Sequence, residues 1–99
     1  MITQPFSPCF GAGVTIAATT TSANQAFTAG GPLQNVAVTN AGTAVAFVRL
    51  GVGAQTATTA DMAIAPNATV ILTKGLADNI AAICASGTAT IYAIPGEGH

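Results

Sequence analysis

The side chains able to do covalent or acid–base chemistry are few and scattered. There is one histidine, His99, at the last position, and there are two cysteines, Cys9 and Cys84. A catalytic nucleophile needs a base within hydrogen-bond reach, and no base stands in a recognisable pattern with Ser7, Ser22, Ser86 or either thiol. Asp61 and Asp78 could form a carboxylate pair, but their spacing fits no acid–base motif, so both read as loop residues. Gly11-Ala12-Gly13 and Gly51-Val52-Gly53 look like fragments of phosphate-binding loops. No GK[ST] follows and no helix is expected after them, so they read as turn glycines. A metal site needs several His, Cys, Asp or Glu ligands, and a single terminal histidine does not provide them. The inventory points away from an enzyme and implies no cofactor or metal. Asn67-Ala68-Thr69 has the form of a glycosylation sequon, which matters only in a secreted chain.

Arg49, Asp61, Lys74, Asp78 and Glu97 are the whole charge complement, 5% of the residues. An ordinary soluble domain carries about 25%. The net charge is −1, and no basic patch exists to hold nucleic acid. No apolar run approaches the ~20 residues of a spanning helix, and no basic amphipathic helix suits a membrane surface. The surface is therefore built from Thr, Ser, Asn, Gln, Gly and Ala. A chain of this mass exposes roughly 5,000 Å² when folded, so each charge serves about 1,000 Å². Such a surface puts little repulsion between copies and suits packing into an assembly.

The length of 99 residues allows one domain. Alanine accounts for 22 of the apolar residues and there is no Trp, so the core is thin. A thin core leans on disulfides, metals or association. The chain opens on Met without the basic n-region of a secretory leader, so we expect cytoplasmic synthesis and free thiols, with Cys84 a small buried hydrophobe in a strand.

Thr, Val and Ile are abundant while Glu, Lys, Arg and Leu are scarce, which favours strands. Turn residues recur every ~8–12 positions. The expected strands are 14–20, 24–28, 34–39, 44–50, 62–65, 69–73, 80–85 and 88–94. Val14/Ile16/Ala18, Val36/Val38 and Ile91/Ala93 alternate, whereas 44–50 is apolar on both faces and reads as doubly buried. A weak helical turn is also conceivable over 76–83. Residues 23–51 and 68–96 repeat at an offset of 45, with eight of 29 positions identical. The matches include Thr28/Thr73, Gly30/Gly75, the Gly42-Thr43-Ala44/Gly87-Thr88-Ala89 triplets and Gly51/Gly96, and Phe47 falls on Tyr92. Each half centres on strand, Asn40-Ala41-Gly42 or Ala85-Ser86-Gly87, strand. This reads as a hairpin whose glycine takes positive φ. The expected fold is all-β: one β-sandwich of about eight strands over 14–99, jelly-roll-like, with pseudo-repeated halves.

Residues 1–13 hold Pro5, Pro8, Gly11 and Gly13 and so form an extended arm, yet they include Phe6 and Phe10. The arm either caps its own sandwich or reaches a neighbour. We take Phe6, Cys9 and Phe10 as candidate anchors on a partner. Arg49 or Asp61 is a candidate rim pair, while Lys74 most simply ends a strand in solvent. Two classes of function fit: an assembly component that binds by shape, and an ice- or surface-binding protein. The second would use the T-x-T elements in 19–21, 56–59 and 88–90, which lack the regular repeat that would stack them.

VTNAGTAVAFVRLG, the Thr/Ala-rich loop after it, Ala65-Pro66-Asn67-Ala68 and the closing ASGTATIYAIPGEGH resemble small accessory proteins of tailed bacteriophages, the capsid decoration or cement proteins. The resemblance covers roughly 36–99 and leaves out the arm. It implies a compact β-sandwich or jelly roll on the outer face of an expanded head. There it would commonly sit as a homotrimer and bridge neighbouring major capsid subunits against the pressure of packaged DNA. The implied partners are the major capsid protein and further copies of the chain. The implied location is the virion, and a tail or fibre accessory place is the alternative.

Overall fold

The computed structural model describes residues 7–27 and 35–97. Nine strands run through them: β1 (Ser7–Pro8), β2 (Val14–Ala18), β3 (Ala23–Ala26), β4 (Asn35–Asn40), β5 (Ala46–Gly51), β6 (Met62–Ile64), β7 (Thr69–Thr73), β8 (Asn79–Cys84) and β9 (Ala89–Glu97). All pairings are antiparallel. In one sheet, sheet A, the order is β2-β9-β4-β7, with β1 continuing the β2 side of β9; in the other, sheet B, it is β3-β8-β5-β6. Among the described residues there is no helix, and hence none long and apolar enough to cross a membrane.

The inner faces share one core. Val14, Ile16, Val36, Val38 and Ile91 come from sheet A, and Val48, Ile64, Ile80 and Cys84 from sheet B. β2 is buried at every second residue, so the Val14/Ile16/Ala18 alternation places those side chains inward and Thr15 and Ala17 outward. β5 also alternates, which corrects the expectation of a doubly buried strand there. The strand covered on both faces is β8, where Asn79, Ile80, Ala81 and Ala82 are all buried.

The expected hairpins are not hairpins. β4 lies in sheet A and β5 in sheet B, and β8 and β9 are divided the same way, so both connections cross between sheets. Asn-Ala-Gly and Ala-Ser-Gly are turn chemistry that serves either path. Gly87 has φ +76°, as a turn glycine should, but Gly42 does not have positive φ. Its reason is space: a Cβ there would lie 2.5 Å from Ala89 Cα. The 45-residue offset carries β3 onto β7, β4 onto β8 and β5 onto β9, each time from one sheet to the other. The positions Thr28, Gly30 and Gln34 lie outside the described residues. The helical turn expected over 76–83 is replaced by a tight turn, with Ala77 N–H donating to Lys74 C=O and Gly75 at φ +56°, followed by β8.

The edge strand beside β9 is interrupted for a reason written in β9. From Pro8 to Val14 it advances six residues while β9 retreats only three, from Gly96 to Ala93, so three residues are looped out. Opposite the break stands Pro95, which has no N–H to give. Cys9 N–H donates to Pro95 C=O at 2.8 Å, but the Cys9 carbonyl turns instead to Ala12 N–H at 3.1 Å. That bond closes a turn with Gly11 at φ +88°, the type II pattern that wants glycine third.

Candidate interaction face

The two outer faces are treated differently by the chain. Sheet B is covered by its own residues 52–61, the segment from β5 to β6. Gln55 N–H donates to Asn24 Oδ1 at 2.9 Å, and Ala57 N–H to Ser22 Oγ at 2.8 Å. Asn24 Nδ2 in turn donates to Asn79 Oδ1 at 2.9 Å. Two carboxylates clamp the ends of the strap. Asp78 Oδ1 accepts from Gly53 N–H at 2.9 Å and Asn79 Nδ2 at 2.7 Å. Asp61 Oδ2 accepts from Thr58 N–H at 2.7 Å, while its Oδ1 accepts from Arg49 Nε at 3.1 Å and the guanidinium NH2 at 3.0 Å. The Thr58 backbone bond first, and then Arg49, hold the Asp61 carboxyl below its ordinary value. The Gly53 backbone bond does the same for Asp78, with Asn79 second.

Sheet A has no such cover among the described residues. The outward positions of β2, β9, β4 and β7 line up as Thr15–Tyr92–Thr39–Thr69, with Ile94–Ala37–Ile71 in the next row but one. Thr39 and Thr69 join hydroxyls at 2.8 Å. Tyr92 is half exposed and Ile71 is 40% exposed. Because Gly13 and Ala37 flank Ile94 with little or no side chain, a groove of about 400 Å³ opens between them, with Thr15, Thr39 and Tyr92 on its walls. None of the five charged side chains occupies an outward position on this sheet.

The Cys9–Ala12 turn stands at the rim of sheet A and holds Phe10 86% exposed. Its neighbour Cys9 is half-buried and Ala12 is buried, so this part of the arm rests on its own sheet and shows only the aromatic ring. Phe6 lies outside the described residues, as does His99. The expected partner-binding residues thus fall into two groups. Cys9 and Phe10 meet sheet A, while Arg49 and Asp61 bind each other across sheet B and fasten the strap. Lys74, expected at an exposed strand end, is buried with its ammonium 5.7 Å from the Phe27 ring centre, a cation–π distance. Both cysteines are free; Cys84 is buried, its Sγ–H weakly donating to Ala18 C=O at 3.8 Å, and burial pushes its thiol pKa up.

Of the sheet A side, the sequence offers only the rim residues Cys9 and Phe10 and, in the T-x-T element at 88–90, Thr90. Tyr92, Ile71 and Thr39 carry no motif, and only the pairing of β9 between β2 and β4 brings them together. The outward, uncharged parity of each strand was the available signal. No protein-family model matches the chain, and a search of curated proteins finds no match.

Proposed function

We propose that the chain is a structural virion protein that docks the bare outer face of sheet A, with Phe10 at its rim, on the outer surface of a phage capsid and stabilises contacts between major capsid subunits. The observation that carries this reading is the contrast between the two faces. One is strapped down by its own loop and carries the Arg49–Asp61 pair; the other is uncharged, grooved and uncovered among the described residues. An uncharged face of Thr, Tyr and Ile can be desolvated without burying charge, and modest contacts suffice when many copies bind one particle. The strand order supports a jelly roll. The sequences β2-β9-β4-β7 and β3-β8-β5-β6 are those of eight strands wound as two Greek keys, an architecture used by capsid and lectin domains. The resemblance over 36–99 supports the same role.

The test is cosedimentation with expanded heads of the phage that encodes the chain. Binding should saturate at a fixed number of copies per head. Phe10→Ser and Tyr92→Lys should each weaken it by about tenfold or more, while Val52→Ser, on the strap, should leave it unchanged. Failure of the intact chain to bind, or equal binding by all three variants, overturns the proposal.

A further inference from the structure

An open sheet edge presents unpaired backbone N–H and C=O groups, and proteins blunt such edges with charge, proline, bulges or shortness. Three of the four edges here are blunted. The β1–β2 edge has Pro8 and the looped-out turn; β3 has four residues; β6 has three, between Asp61 and Pro66. β7 is the exception. Thr69-Val70-Ile71-Leu72-Thr73 has no charge, proline or bulge, and every residue but Leu72 is β-branched.

The pairing shows which groups are free. Asn40 N–H donates to Ala68 C=O, which fixes the hydrogen-bonding phase of β4 against β7. In that phase Val70 and Leu72 bond to β4, and the backbone groups of Thr69, Ile71 and Thr73 point outward. Among the described residues nothing pairs with them.

We infer that β7 is the seam of a twofold pair of this chain, its Thr69, Ile71 and Thr73 backbone groups bonding antiparallel to those of a second copy about Ile71. The choice of a second copy rests on self-complementarity. Centred on Ile71, the register sets Thr69 against Thr73 of the second copy, and Ile71 against its own equivalent, three β-branched contacts on the outer face. On the inner face it sets Val70 against Leu72, two side chains that β7 leaves only half-buried against the core. Lys74 falls opposite Ala68 and not opposite a second Lys74, so no like charges meet. The joined sheet continues the uncharged outer face across the seam. An isologous edge makes pairs and not trimers, so this contact departs from the threefold assembly that the phage resemblance implies. It stands on the edge alone, whether or not the pair sits on a capsid.

Light scattering on the full chain should give twice the 9.6 kDa chain mass at micromolar concentration. Ile71→Lys places two cations face to face at the centre and should weaken the pair about tenfold or more. With its side chain at the edge, it should leave the circular dichroism unchanged. In a Cys9→Ser background, Ile71→Cys should crosslink to itself under mild oxidation. Thr69→Cys should crosslink to Thr73→Cys when the two are mixed, and neither should crosslink to itself. A single-chain mass at every concentration overturns the inference, as does a trimer, a pair indifferent to Ile71→Lys, or crosslinking without this register. If Ile71→Lys fails to fold, the cysteine pairs decide the question.

Discussion

Asn40 is fully buried at the end of β4, against a core of Val, Ile, Ala and Cys84. Its Nδ2 donates to Ala44 C=O and to Ile64 C=O, both at 2.9 Å, and its Oδ1 accepts from Gly42 N–H at 2.9 Å. One side chain thus shapes the crossing from sheet A to sheet B and ties it to the end of β6. A buried amide is tolerated in such a core because all of these bonds are made. Asn40→Ala would strand three backbone groups and leave a void. We expect a loss of about 2–4 kcal/mol in denaturant unfolding and a melting temperature lower by on the order of 10–20 °C. A loss under half a kilocalorie would mean that water replaces the amide without cost. The repeat places Ala85 at the equivalent position, so this device belongs to one half of the chain.

At the scale of elements, the strands were legible and their partners were not. All eight expected segments overlap β2 to β9, because Val14/Ile16 and Ile91/Ala93 alternate and glycines mark the turns between them. β1 was missed because a two-residue strand containing proline has no periodicity. The β4–β5 crossing was misread because a turn sequence fixes local φ and ψ, while the choice of sheet depends on β9 inserting between β2 and β4. Arg49 and Asp61 were both singled out for a partner's surface. Their mutual pairing depends on the strap folding back over sheet B, which neither residue encodes. That strap is the element most exposed to acid. Both clamping carboxylates have folded-state values below the ordinary 3.8. Their contribution is therefore complete above the unfolded value and is lost as pH falls below it and through the depressed folded values. Protection of the amides over residues 52–61, taken relative to their intrinsic exchange rates, should fall in that window and hold between pH 5 and 8, while β8 and β9 stay protected. Asp61→Asn should bring that loss of protection in the strap to neutral pH. Equal exchange in the variant and the parent would show that the backbone bonds alone hold the loop.

For the molecule as a whole, the deciding quantity is the density of charge. Its 5219 Å² of accessible surface carries five charged side chains, roughly one per 1,000 Å². One opposed pair is already closed as Arg49–Asp61, and Lys74 lies buried against Phe27. Little remains to steer or repel another molecule over a Debye length of ~8–10 Å at ordinary ionic strength. Whatever sheet A or β7 binds must therefore be held by apolar burial, backbone hydrogen bonds and shape. These respond to salt in the opposite sense from ion pairs: screening leaves them alone, and sulfate strengthens them by being excluded from the surface. Self-association followed by light scattering should change by less than about twofold between low and physiological sodium chloride, and should tighten in sulfate. A steep loss of affinity with sodium chloride would place the contact on the few charged groups, either the strap's Arg49, Asp61 and Asp78 or Glu97 at the end of β9. The uncharged face would then be a consequence of a thin, alanine-rich composition and not a docking surface.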